Sequence, residues 1–151
     1  RSIAQALPAI AAEVDGPVRL AGHSAGGHLA LRMACPDAGL PPALAARLGA
    51  ILALSPLADL APLMEMPMNA DLRIDPDEAR TESPVHHPAP DLPVFAVVGA
   101  EERPAFLDQA LWLADAWPDT HLTIAAGRHH FDVIEPLTNP ASSMLDRFLG
   151  R

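Results

Sequence analysis

The sequence predicts an α/β fold: a mostly parallel sheet with helices on both faces. Three observations carry that prediction. Apolar runs at 50–54, 94–98 and 121–125 have the length and continuity of strands covered on both sides. Segments with apolar residues at helical spacing alternate with those runs, and such alternation calls for parallel strands joined by crossover helices. A glycine-rich turn at 22–27 joins one more short strand to a helix.

In chain order, Ile3, Leu7, Ile10, Ala11 and Val14 recur at helical spacing and stop at Asp15-Gly16. Pro8 lies inside that pattern, so the helix is kinked there or begins near it. Residues 17–21 read as a strand and 28–34 as a helix, halted by Cys35-Pro36. The strand at 50–54 leads into an irregular excursion, 56–93. It holds prolines at 56, 62, 67, 76, 84, 88, 90 and 93, with Met64, Met66 and Met68 at alternate positions. A long segment leaving the carboxyl end of a strand is where such folds build pockets and lids. A plain surface insertion with methionines filling gaps fits it equally. Between the last two strands, Phe106, Ala110, Leu113, Ala114 and Trp117 share one helical face. Asn139-Pro140 has the form of an N-cap followed by proline at the first helical position. It would open a closing helix with Met144, Leu145, Phe148 and Leu149 inward. Residues 1–151 therefore read as a single domain.

Ten Lys and Arg against nineteen Asp and Glu give a net charge of −9, with no basic stripe. Nucleic acid and anionic membranes are thus not expected partners. An apolar share of 50% with 19% charged residues suits a packed core and not a disordered chain. The single Cys35 allows no intrachain disulfide and fits a reducing, cytoplasmic setting. No basic-then-apolar segment opens the sequence, and no apolar run approaches the length of a membrane span.

Gly22-His23-Ser24-Ala25-Gly26-Gly27 has the Gly-x-Ser-x-Gly form of a nucleophile elbow. In that motif a buried strand ends, the chain turns sharply and a helix begins, leaving a serine hydroxyl at the apex. The strained turn is expected to leave no room for side chains on either side of the serine. An ordinary glycine-rich turn is the competing reading, and the strand before and helix after it favour the elbow. The backbone N–H of Ala25 would then supply one donor to an oxyanion hole.

A serine hydroxyl is a poor nucleophile until a neighbouring base accepts its proton, and that base needs an acid to fix its tautomer. In α/β-hydrolases the chain order is Ser, then Asp or Glu, then His, each on a loop after a strand. After the 94–98 strand come Glu101 and Glu102, either of which suits the acid, with Asp108 a remote third. Acidic residues there also favour the dipole of the helix that follows, with no further role. After the last strand come His129 and His130, between which local chemistry does not choose. No Cys or carboxylate stands at a metal-ligand spacing from this pair, so zinc is not expected. His86-His87 read as solvated loop histidines.

Three blocks together resemble the arylformamidase (kynurenine formamidase) group of α/β-hydrolases. They are the elbow with its following His28-Leu29-Ala30, the run from Val98 through Glu101-Glu102-Arg103-Pro104-Ala105-Phe106, and His129-His130-Phe131-Asp132-Val133-Ile134-Glu135. Ser55-Pro56-Leu57-Ala58-Asp59-Leu60-Ala61-Pro62-Leu63 and Ser83-Pro84 resemble that group's passage between elbow and acid. By position the resemblance implies Ser24 as nucleophile, Glu102 as acid and His130 as base. Many members have Asp where this chain has Glu102, so the loop must absorb one extra methylene. The implied reaction is hydrolysis of an aryl formamide such as N-formylkynurenine through a formyl-serine, with no metal or organic cofactor. A carboxylesterase acting on short-chain or aryl esters is the alternative.

The resemblance also implies that the elbow strand is central, and that further oxyanion donors come from a His-Gly-Gly-type loop upstream of Arg1. The chain is accordingly expected to be the C-terminal portion of a longer hydrolase. Standing alone it would expose a strand edge. A further alternative to the hydrolase is therefore a non-catalytic fragment that pairs through that edge, for instance as a homodimer.

Overall fold

The computed structural model describes residues 2–151. Four strands form one parallel sheet in chain order: β1 (Val18–His23), β2 (Leu48–Leu54), β3 (Val94–Gly99) and β4 (His121–Ala125). The helices of seven residues or more are α1 (Ser2–Ala12), α2 (Ala25–Arg32), α5 (Pro76–Glu82), α6 (Pro104–Ala116) and α7 (Ser143–Leu149), and the short helical turns are α3 (Pro42–Ala45) and α4 (Asn69–Leu72).

The pairing register aligns Leu20 with Ile51 and Ile51 with Val94, so their side chains share a face. On that face Ile51, Ala53, Val94 and Ala96 pack against Ala30 and Leu31 of α2 and against Leu113 and Trp117 at α6. Full burial of Leu31 or Leu113 contributes about 1.5–3 kcal/mol each. The opposite face, with Ala50, Leu52, Leu54 and Val97, is closed by Val133 and by Phe148 of α7. The two central strands therefore have both faces covered, as a continuous apolar run requires.

α1 lies beside α2, where Ala4, Leu7 and Ala11 pack with Met33 and Leu44. Arg32, at the end of α2, is buried and paired. It donates to both carboxylate oxygens of Asp37 (2.9 and 3.2 Å) and to Glu82 at the end of α5 (3.0 Å). His28 donates from Nε2 to the carbonyl of Glu82 at 2.7 Å, and burial pushes its imidazole below the ordinary value. Cys35 packs in the same core cluster, where burial pushes its thiol up. Among the described residues no helix is long and apolar enough to cross a membrane.

Several boundaries depart from expectation. The run at 121–125 is an edge strand with three of its five residues exposed, Ile124 among them, because β4 has a neighbour on one side only. In α1 the buried line is Ala4, Leu7 and Ala11, whereas Ile10 is 62% exposed and Val14, beyond the end of the helix, 55%. That helix runs through Pro8. α7 begins three residues later than Asn139-Pro140 would start it, on Ser142, whose hydroxyl accepts from the N–H of Leu145. Asn139 instead accepts from Ala141 in a local turn. Leu145 is only partly buried, and the inward contacts come from Phe148, Met144 and Leu149. The excursion at 56–93 is less irregular than its prolines suggest. It holds α4, α5 and two 3-10 turns over a small core of Leu60, Leu63 and Ala79. Met64 fills that core's edge, while Met66 and Met68 are exposed. His87 is not a solvated loop histidine. It donates from Nε2 to the carbonyl of Thr81 at 2.8 Å, and its own carbonyl accepts from the Trp117 indole.

Candidate active site

Parallel strands in sequential order bring four carboxyl ends side by side, and one side chain of the candidate site stands at or just beyond each. β1 runs to His23 and α2 starts at Ala25, so Ser24 is the whole turn between them. Its backbone has φ 55 and ψ −121, a left-handed conformation uncommon for any residue but glycine. The N–H of Ser24 donates to the Leu54 carbonyl at 2.8 Å, and its own carbonyl accepts from His28 at 3.1 Å. These bonds hold the strained residue between β2 and the first turn of α2. Ala25 is the first residue of that turn, whose N–H groups have no intrahelical acceptor.

Glu102 lies beyond β3 with its side chain fully buried. Its Oε2 accepts from Nδ1 of His130 at 2.7 Å. A carboxylate can only accept, so Nδ1 carries the proton and Nε2 presents its lone pair. The Ser24 hydroxyl donates to that Nε2 at 3.2 Å. Ser24, His130 and Glu102 thus form one hydrogen-bonded relay from three different strand ends. Oε1 of Glu102 accepts from the Ser55 hydroxyl at 2.5 Å and from the N–H of Gly99 at 2.8 Å.

The loop carrying His130 is fixed at several points. Ala100 donates to the Ala125 carbonyl and Glu101 to that of Arg128, both at 2.9 Å. A side chain on Gly99 would meet the Arg128 carbonyl oxygen at 2.2 Å, so only glycine allows this approach. Val133, wholly buried, donates to the His129 carbonyl and anchors the far side. His23 donates from Nε2 to the His130 carbonyl at 2.7 Å, with ring centroids 4.6 Å apart. Phe106 packs on the His130 ring at 4.1 Å, and Phe131 approaches it edge-on at 5.4 Å. Phe106, Phe131, Arg103 and His130 line a cavity of about 440 Å³.

The other sequence candidates stand outside the relay. Glu101 and Asp108 are exposed, and His129 points to Asp132 with its ring nitrogen 3.5 Å away. The glycine expectation is half met. Gly22 has no room for a side chain, Gly27 is tight at 3.1 Å from Pro56, and Gly26 faces open space. Ser55, Gly99 and His23 had no assigned role in the sequence. Ser55-Pro56 belongs to the passage that resembles the arylformamidase group, but only the packing of β2 beside the Glu102 loop makes the Ser55 hydroxyl a partner of that carboxylate.

No family model and no curated protein matches this chain. Among solved structures, a "putative thioesterase" from Silicibacter sp. tm1040 superposes with TM-score 0.92 at 49% identity, over 97% of this chain and 56% of that one. Thermogutta terrifontis esterase 2 matches in its apo form with TM-score 0.56 at 21% identity, over 87% of this chain and 52% of that one. Its propionate-bound form matches equally, with TM-score 0.56 at 19% identity, over 87% and 52%. The chain has the α/β-hydrolase fold. It spans about half the length of the solved structures it matches.

Proposed function

We propose that the protein is a serine hydrolase of ester-like substrates working through an acyl-Ser24 intermediate. The observation that carries this reading is the relay itself: Ser24 Oγ to His130 Nε2, and His130 Nδ1 to Glu102 Oε2. Ser24 attacks the substrate carbonyl while its proton passes to Nε2 of His130. Glu102 stabilises the resulting imidazolium. His130 then hands that proton to the departing atom, so the leaving group departs neutral and the acyl group stays on Ser24. A water loses a proton to the same nitrogen, attacks the acyl carbonyl, and releases the acid as Ser24 recovers its hydrogen. The N–H of Ala25 meets the developing oxyanion, and one such donor is worth on the order of 10²–10³ in rate. No step draws on a metal or organic cofactor.

The aromatic side chains around His130 support a leaving group that is itself aromatic, since Phe106 and Phe131 stand against the imidazole that protonates it. An N-formyl arylamine such as N-formylkynurenine meets that description, as the arylformamidase resemblance suggests. An aryl ester meets it too, and the esterase and thioesterase descriptions of the structural neighbours favour ester-like acyl groups. Comparing kcat/KM for N-formylkynurenine and p-nitrophenyl acetate separates the two. A formamide preference supports the first reading, and a large ester preference supports the second. Ser24→Ala should lower either rate on the order of 10⁴–10⁶. Retained turnover by that variant sinks both.

A further inference from the structure

We infer that Ser55 is a positioning residue, whose hydroxyl fixes the Glu102 carboxylate so that one oxygen is reserved for His130. The inference rests on the reading of Ser24, His130 and Glu102 as the catalytic relay. Ser55 sits just past β2, wholly buried, with φ 44. A left-handed backbone at a residue other than glycine costs on the order of 1–3 kcal/mol, and such outliers gather at functional sites. Glycine would satisfy the dihedral without strain. What serine adds here is its hydroxyl, which donates to Glu102 Oε1 at 2.5 Å.

The surrounding bonds explain why that donor matters. The Ser55 N–H donates to the Val97 carbonyl at 2.7 Å, so the hydroxyl is held from the strand next to the acid's own. Gly99 N–H donates to the same Oε1 at 2.8 Å. With two donors on Oε1, rotating the carboxylate would break both bonds, and Oε2 stays directed at Nδ1 of His130. Glutamate has one more torsion than aspartate to restrain, and restraining a long side chain has an entropic cost. Ser55 supplies that restraint from outside the acid loop. It touches neither substrate nor the reacting atoms.

Ser55→Ala and Ser55→Gly provide the test, with Ser55→Gly included because it suits φ 44 and so keeps the fold even if Ser55→Ala does not. Both variants are expected to lose kcat roughly tenfold with KM within about twofold of wild type, the loss of a hydrogen bond to a charged group. In a Glu102→Ala background, Ser55→Ala should cost no further activity. The Nδ1 proton of His130, donated to Glu102, should give a far-downfield NMR resonance that moves or broadens in both variants. A Ser55→Gly enzyme with kcat within about twofold of wild type overturns the inference. So does an equal loss in the Glu102→Ala background, or an unmoved resonance. Full activity in Ser24→Ala would instead overturn the underlying reading of the relay. The resonance comparison reports on Ser55 without turnover and so separates the two failures.

Discussion

A side chain on Gly22 would place its Cβ 2.0 Å from the carbonyl oxygen of Gly26. The two motif glycines are therefore not equivalent. The first lets the end of β1 pass against the start of α2, while the second has no atom within 4 Å of where its own Cβ would stand. Gly22→Ala must push backbone from backbone and should destabilise by about 3 kcal/mol, the upper range for overpacking. Gly26→Ala should be neutral or stabilising by up to ~1 kcal/mol through helix propensity. Urea titrations of the two variants check this, and equal losses would mean that the elbow is packed differently.

His23 holds the backbone of His130, the proposed base, through its bond to the His130 carbonyl. Replacing it by His23→Phe keeps a ring beside His130 but removes the donor to the His130 carbonyl. We expect kcat to fall several-fold, consistent with about 1 kcal/mol for a neutral hydrogen bond. His23→Gln can donate from a similar place and should recover part of the loss. Steady-state kinetics of the pair decide it, since a carbonyl pinned by other contacts would leave both variants at wild-type rate.

Phe131 is 76% exposed, so Phe131→Ala should leave stability nearly unchanged. If it receives an aromatic leaving group, KM for p-nitrophenyl acetate should rise by roughly 2- to 10-fold, the worth of an aromatic pair. KM for ethyl acetate, which has no ring, should stay put. Parallel KM measurements on the two esters test the aromatic preference.

The Arg32 guanidinium donating to Asp37 holds that carboxyl below its ordinary value of 3.8. A carboxyl depressed in the folded state stabilises above its unfolded pKa and loses that contribution as pH falls through the folded one. Asp37→Asn should therefore be less stable than wild type at pH 6. The gap should narrow as pH drops below about 3.8. Thermal unfolding of both proteins between pH 6 and pH 2.5 measures it. A constant gap would point to lost packing and not to the ion pair.

Much of the fold was legible because its central strands are apolar on both faces and its elbow is short and sterically defined. The relay was harder to read. Glu101 and Glu102 are indistinguishable by local chemistry, as are His129 and His130, since which of two neighbours turns inward depends on loop bonds such as Glu101 to Arg128. The resemblance selected Glu102 and His130, and these are the two that meet at 2.7 Å. The contacts of Ser55 and His23 are not legible in the sequence because their partners lie 47 and 107 residues away. The exposure of β4 and the start of α7 differ from the local pattern for a related reason. Edge position and the choice between Asn139 and Ser142 as cap are set by tertiary neighbours.

The most direct test treats the protein with a fluorophosphonate and locates the adduct by peptide mass spectrometry. The account predicts one modified residue, Ser24, with labelling abolished in Ser24→Ala and strongly slowed in His130→Ala. Modification at any other serine, or labelling of Ser24 at an undiminished rate in His130→Ala, would contradict it.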